Sequence, residues 1–326
     1  MDIYFRPEYG KLCELIDGGI SERFEYTTEH GSVVNLFIKR EVPDLIGGAR
    51  YYDIVTPYGY GGPFVISENK EFITELCKGY DEAFGRYCSE NNIVSEFVRF
   101  HPLYNNACDF KGIYDPEHIR NTLGTNLEAF DDPVQSEFSK SCRKNIRKAL
   151  NAGITFEVTA SPENIDEFIE IYYSTMDRDN ASEFYYFDKK YFDKMLEYFR
   201  DELIYTKALY YDKVIAANIC FVTDGNIHIH LSGTLSEYLY LSPAYVLRYA
   251  VALWGKENGY RVIHHGGGTS NSPENSLYCF KKQFAKNTEF EFYIGKKIRN
   301  KEIYNKLCEK SGISAESDFF PAYRKR

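Results

Sequence analysis

The chain lacks most of the features that announce a function directly. No stretch approaches the ~18 consecutive apolar residues of a membrane span. The N-terminus, MDIYFRPEYGKLCELIDGG, carries acids and has no apolar core, so it does not read as a secretory signal. Its eight cysteines are scattered and none forms a C-x-x-C pair, which argues against a structural zinc site and for reduced thiols in a cytoplasmic setting. There is no G-x-S-x-G nucleophile elbow and no G-x-x-x-x-G-K-[ST] phosphate loop. No short-period repeat or low-complexity tract appears either. These absences argue against a transmembrane helix, a P-loop nucleotidase and a serine hydrolase of the elbow type.

What is present is a chain of 326 residues, long enough for about two domains. Aromatic residues are abundant, with 29 Tyr against one Trp. Tyrosine packs its ring while its hydroxyl stays wet, which suits grooves for polar ligands. The net charge of −9 is unevenly spread. Residues 281–326 hold 12 Lys and Arg against 6 Asp and Glu, leaving the rest of the chain at −15. That asymmetry suggests either an anionic partner near the C-terminal part or a solvated basic surface.

Strand-like and helix-like runs alternate, which indicates an α/β fold with mixed sheets flanked by helices. Helical patterns cover about 68–91, 134–150, 188–199, 242–258, 275–285 and 300–310. Ser161-Pro162 and Ser242-Pro243 read as helix starts, with serine as cap and proline in the first turn. Segments near 107–124 read as strands, and 203–211 with 214–222 as a hairpin. The strand–helix–strand run at 226–265 predicts a parallel crossover. The main boundary is expected near 134, giving domains 1–133 and 134–295.

Four local patterns carry chemistry. In FSKSCRKNIRKAL, at 138–150, helical spacing puts Lys140, Arg143, Lys144, Arg147 and Lys148 on one face and the apolar side chains opposite. Like-charge neighbours at this spacing cost ~0.2–0.5 kcal/mol a pair unless an acid or a bound phosphate answers them. Arg143 and Arg147 are therefore candidate substrate contacts. In HHGGG, His265, Gly266, Gly267 and Gly268 close a strand, where a ligand can approach the backbone closely; a tight structural turn is the alternative. In LYCFKKQF, at 277–284, Phe280 and Phe284 face the core and Lys281 and Lys282 flank that face near the start of a short helix. A lysine there can answer negative charge on a reacting carbonyl oxygen. In DIVTPYGYGGP, at 53–63, glycines and prolines shape a loop that offers Tyr58 as a substrate contact. His228 and His230 alternate on one strand with His264 and His265 on a neighbour; packing or substrate hydrogen bonding is the favoured role and no metal is expected.

These pieces, together with HLSGT…LSPAYVLRYAVALWGKENGY at 230–260, stand in an order that resembles the peptidoglycan interpeptide-bridge aminoacyltransferases, the Fem family, and related N-acyltransferase domains. The resemblance spans about residues 33–305. It implies two tandem acetyltransferase-like (GNAT) domains, with the segment 296–326 returning to the first. It implies transfer of an aminoacyl or acyl group to an amine of a cell-wall or glycan precursor. The alternatives are a CoA-dependent N-acyltransferase for an amino sugar or small amine, and a non-catalytic relative that only binds the precursor. The resemblance maps the family's catalytic lysine onto Lys281, its phosphate-holding residues onto Lys39 and Arg178, and a substrate-site tyrosine onto His230. It implies no tightly bound cofactor, a donor that is aminoacyl-tRNA or acyl-CoA, and an anionic nucleotide- or lipid-linked precursor as partner, with tRNA where it is the donor and no DNA. Two family features are missing: the helical coiled-coil arm of the larger members, and the Q/R-x-x-G-x-G/A turn of CoA-dependent relatives, which SGTLSEYLYLSPAY at 232–245 does not contain.

Overall fold

The computed structural model describes residues 1–272 and 274–325. The first elements are α1 (Pro7–Asp17), β1 (Ile20–Thr28), β2 (Gly31–Glu41), β3 (Tyr52–Val55), β4 (Phe64–Ile66), α2 (Ile73–Glu90), β5 (Ile93–Arg99), α3 (Lys111–Tyr114) and β6 (Glu117–Asn126). There follow α4 (Pro133–Glu137), α5 (Lys140–Asn151), β7 (Ile154–Ala160), α6 (Asp166–Arg178), α7 (Lys189–Phe199), β8 (Leu203–Tyr210), β9 (Lys213–Thr223) and β10 (Asn226–Thr234). The chain ends with α8 (Pro243–Glu257), β11 (Val262–Gly266), α9 (Ser276–Lys282), β12 (Glu289–Ile298) and α10 (Lys301–Ser311). No helix among the described residues is long and apolar enough to cross a membrane.

The chain divides into two compact units, residues 1–120 with 291–326, and residues 121–290. The expected boundary at 134 falls inside the second unit. From Leu123 onward β6 pairs with β11, Thr125 opposite Ile263 and Asn126 opposite Val262. The fully buried Glu137 carboxylate then clips this edge together, accepting from the Asn287 backbone at 2.8 Å and from the Thr288 hydroxyl. A buried carboxylate held by N–H and O–H donors needs no cation beside it.

Unit 1 carries the sheet β1-β2-β3-β5-β12, with β4 on the other part of β2 and only β3 and β5 parallel. Helix α2 packs on it through Leu76, Tyr80, Phe84 and Cys88, a four-residue spacing that keeps one face apolar. Helix α10 buries Ile303, Tyr304 and Leu307 against Val42 and Val94. The stretch near 107–114 is helical rather than extended, because α3 tucks Phe110 and Tyr114 into this core.

The basic C-terminal segment finds its anions within unit 1. Lys297 binds Asp81 at 2.6 Å, Arg299 binds Asp81 at 2.8 Å and Glu96 at 2.9 Å, Lys296 binds Glu117 and Lys310 binds Asp44. Arg324 and Arg40 share the buried Asp53. Burial works against the Arg299 charge, but Glu96 and the neighbouring acid outweigh it and hold the guanidinium firmly protonated. The charge asymmetry of the sequence is therefore largely internal pairing.

Unit 2 carries the sheet β6-β11-β10-β9-β8-β7. Strands β10 and β11 are parallel and connected through α8; the other pairs are antiparallel. The proline of Ser242-Pro243 opens α8, but Ser242 sits in the left-handed region at φ 59° and its side chain caps nothing. Ser161 is likewise left-handed, and α6 begins only at Asp166. A serine caps a helix only from an extended backbone, a condition that residue type does not reveal. The helix expected over 134–150 is broken at Phe138, and Ser139 caps α5 by accepting from the Cys142 N–H at 3.0 Å.

Candidate functional site

The residues with the richest chemistry in unit 2 meet where β11 runs through the triple glycine into α9. Gly266 adopts φ 74°, the left-handed conformation that favours glycine, so the chain turns sharply off the strand. Gly268 lies so close to α9 that a Cβ there would meet Asn275 Oδ1 at 2.6 Å. Asn275 caps α9, accepting from the Tyr278 N–H at 3.1 Å, and donates to the Thr269 hydroxyl at 2.7 Å. At the other end of α9, Lys281 Nζ donates to the Gly267 carbonyl at 2.7 Å. The glycine loop and the short helix are thus clamped at both ends, and the lysine ammonium is held at the loop.

The two lysines stand in the last turn of α9, not near its start, and they differ in kind. Lys282 is committed to Glu289 in an ion pair, while Lys281 points back to the loop. Phe280 and Phe284 pack with Tyr245 and Phe138 as the anchoring face.

His265 lies beside this loop and is buried. The Thr125 hydroxyl donates its proton to the Phe284 carbonyl at 2.7 Å, so it must accept from His265 Nε2 at 2.8 Å. The proton therefore sits on Nε2, and the buried Nδ1 is an acceptor with no partner. Burial first, then the charges of Arg248 and Lys281, hold this imidazole well below its usual range, so it is neutral.

His265 and His230 both occupy irregularities of their strands, where β11 slips against β6 and β10 slips against β9. Such bulges re-aim side chains and break alternation. The four histidines do not all share one face, since His264 and His265 are consecutive: His264 pairs with Thr122, His265 with Thr125 and His230 with the Tyr191 hydroxyl at 2.7 Å, and His228 lies against the His264 ring. Burial, with His228 beside it, pushes His230 down to about 3.

Arg178, in the last turn of α6, donates to the Thr234 carbonyl at 2.7 Å and pairs with Asp179. On α5, Lys140, Lys144, Arg147 and Lys148 are exposed, and no acid lies in ion-pair range of any of them among the described residues. Among the described residues, the negative charge expected to answer this stripe is therefore not supplied by a salt bridge. Arg143 is different. It folds back to the Gln135 carbonyl at 2.9 Å and to the Phe138 carbonyl, stapling the α4–α5 junction.

In unit 1, Tyr58 sits half-buried in a loop fixed by its own backbone: its N–H donates to Asp17 at 2.8 Å and its carbonyl accepts from Tyr9 at 2.7 Å. Gly59, at φ 94°, lets that loop pass within contact of the Tyr4 ring. Lys39 lies 3.3 Å from Glu22 and over the Tyr52 ring, so its charge is already partnered.

One residue of the site escaped the sequence reading. Arg248 interrupts the apolar run AYVLRYAVAL of α8, and it is buried. A lone cation within an otherwise apolar helix face was the available signal.

With this geometry in hand, the chain matches known proteins in two ways. Residues 136–274 match the family model described as an acetyltransferase (GNAT) domain. The greater part of unit 2 thus matches an acetyltransferase (GNAT) domain, and the chain as a whole folds into two mixed-sheet units. The Fem-type resemblance holds at the level of fold: the crystal structure of FemX superposes with a TM-score of 0.68 over 93% of this chain and 94% of that one, at 14% identity. L-PGS from Bacillus licheniformis superposes with a TM-score of 0.55 over 93% of this chain and 94% of that one, also at 14% identity. Comparison with curated protein sequences gives no match.

Proposed function

We propose that this chain transfers an aminoacyl group to an amine of a cell-wall or glycan precursor. FemX and L-PGS, whose fold it shares, support aminoacyl transfer to a cell-envelope component as the class of reaction. The observation that carries the reading is the Lys281 ammonium held 2.7 Å from the Gly267 carbonyl, at the C-terminal end of a strand in a parallel crossover. In open α/β sheets that is where ligands sit.

The reaction needs no protein nucleophile. The acceptor amine attacks the carbonyl carbon of the donor ester, a C–N bond forms, and the carbonyl electrons move onto oxygen. When the tetrahedral intermediate collapses, the C–O bond of the donor breaks and the departing ribose oxygen takes up the proton the amine has lost. Lys281 stabilises the oxyanion, which exists only near the transition state, so its contribution appears in turnover rather than in binding. The unpaired cations of α5 suit an anionic precursor or a tRNA.

The test is Lys281→Ala, assayed by mass detection of acylated product with aminoacyl-tRNA and a nucleotide-linked precursor. Loss of one such donor costs about 10²–10³ in turnover, with the acceptor Kd unchanged within a few-fold. Wild-type turnover in this variant would remove Lys281 from the chemistry. Absence of any acylated product from the wild type would leave a precursor-binding relative.

A second reading, an acyl-CoA donor, is favoured by the acetyltransferase description of residues 136–274. The two are separated by which donor raises the melting temperature of the chain.

A further inference from the structure

Unit 2 buries two kinds of charge and treats them differently. Glu137 is surrounded by donors, as described above. Arg248, only 6% exposed, is not matched by any acceptor of comparable quality. Its Nη2 reaches the Ser232 hydroxyl at 3.4 Å, a weak contact, and its Nε and Nη1 have no partner at all. No carboxylate pairs with it among the described residues. The contrast with Arg299, whose guanidinium is shared by Glu96 and Asp81, is complete. Water could satisfy the N–H groups but not the charge, and an uncompensated buried cation costs several kcal/mol.

Arg248 lines a cavity of about 70 Å³ beneath the first turns of α8. Ser232 and Thr234 of β10 form its polar side, and Leu247 and Phe280 form its apolar side. A slot of this size takes a group of a few heavy atoms, with the rest of a larger ligand outside it. The Ser232 hydroxyl, which accepts from Arg248, keeps its own proton for a further acceptor. Phe280 places this cavity one residue from Lys281 in sequence, and Arg178 binds the Thr234 carbonyl at its edge.

We propose that this cavity binds a carboxylate of the acceptor substrate, with Arg248 as its counter-ion and Ser232 as a second donor. The proposal rests on the acyltransferase reading and narrows its acceptor to an amino acid or peptide with a free carboxylate close to the amine that is acylated. A planar, singly charged carboxylate matches one guanidinium in charge and a small slot in size; a phosphate brings more charge than one arginine neutralises. Burial lowers the Arg248 pKa to about 10, so the side chain still carries its charge at neutral pH.

The test uses the full chain without any donor. Acetate, acetamide and inorganic phosphate are compared at fixed ionic strength by thermal shift and by the Nε–H resonance of Arg248 in ¹⁵N spectra. The expected result is that acetate raises the melting temperature and moves that resonance, while isosteric acetamide and phosphate do neither. In Arg248→Met the acetate affinity falls about tenfold or more, and the melting temperature without ligand is not lowered, because the variant removes an unmatched charge. Equal responses to acetate and acetamide, a response to phosphate alone, or no response to any of the three would each overturn the proposal, the last leaving ordered water as the occupant. If Arg248→Met fails to fold, the acetate–acetamide comparison in the wild type still decides. Because no turnover is measured, failure here beside Lys281-dependent acylation overturns only the carboxylate pocket. A bound acetate without acylated product overturns only the acyl transfer.

Discussion

Arg299 is the residue on which the stability of unit 1 turns. Its guanidinium is 7% exposed and lies 2.9 Å from Glu96, which is 2% exposed, and 2.8 Å from Asp81. Arg299→Met leaves the Glu96 carboxylate buried with the Tyr114 hydroxyl, at 2.7 Å, and no cation. Breaking one side of a buried pair costs roughly 3–5 kcal/mol. At ~2–4 °C per kcal/mol for a unit of this size, the melting temperature falls by roughly 6–20 °C. Far-UV circular dichroism follows the transition, and the single Trp254, which lies in unit 2, gives an independent fluorescence signal for that unit. The second arm is the double variant Arg299→Met with Glu96→Leu. Replacing both partners by apolar groups removes the orphaned charge, so most of the loss should be recovered. A single variant that loses under ~1 kcal/mol, or a double variant no better than the single, would refute the view that the pair is an internally compensated buried charge.

Four further outcomes follow from the same structure. Truncation after Gly295 should give insoluble or rapidly proteolysed protein, because it removes both Arg299 and the α10 face that covers Val42 and Val94; soluble, cooperatively melting truncated protein would contradict this. Arg147→Glu should weaken binding of a nucleotide-linked precursor and flatten its salt dependence, whereas Arg143→Ala should instead lower stability by ~1–3 kcal/mol through the freed carbonyls of the α4–α5 junction; salt titration and denaturant melts distinguish them. Lys282→Ala should retain turnover within a few-fold, since its charge is spent on Glu289. Acidification should destabilise unit 2 from about pH 6.5 downward: His265 stays neutral in the folded state while the unfolded imidazole takes up a proton, giving up to ~1.4 kcal/mol per pH unit. His265→Gln should remove that share of the slope in melts recorded across this range.

Local pattern alone determined a good deal of this protein. The apolar spacing of α2, α5, α7 and α8, the strand–helix–strand run that becomes the parallel β10–β11 pair, and the α/β class itself are properties of neighbouring residues, and neighbours are what a sequence displays. Lys281 and Lys282 stood alike beside the Phe280–Phe284 face in the sequence; that one meets the Gly267 carbonyl and the other Glu289 came only with the fold. What only the tertiary structure decided is what each polar group meets. The serines at 161 and 242 have the composition of helix caps but a left-handed backbone. The histidines of β10 and β11 each found a separate hydroxyl, Thr122, Thr125 and Tyr191, that lies far off in sequence. The basic C-terminal segment read as either a surface for an anionic partner or a solvated face until Asp81, Glu96 and Asp53, more than two hundred residues away in sequence, were found to hold it. Arg248 is the converse case, a cation whose burial should have brought an anion and did not. Charge and periodicity are written along the chain; the neutralisation of a buried charge is a contact between distant segments, and it exists only once the chain has folded.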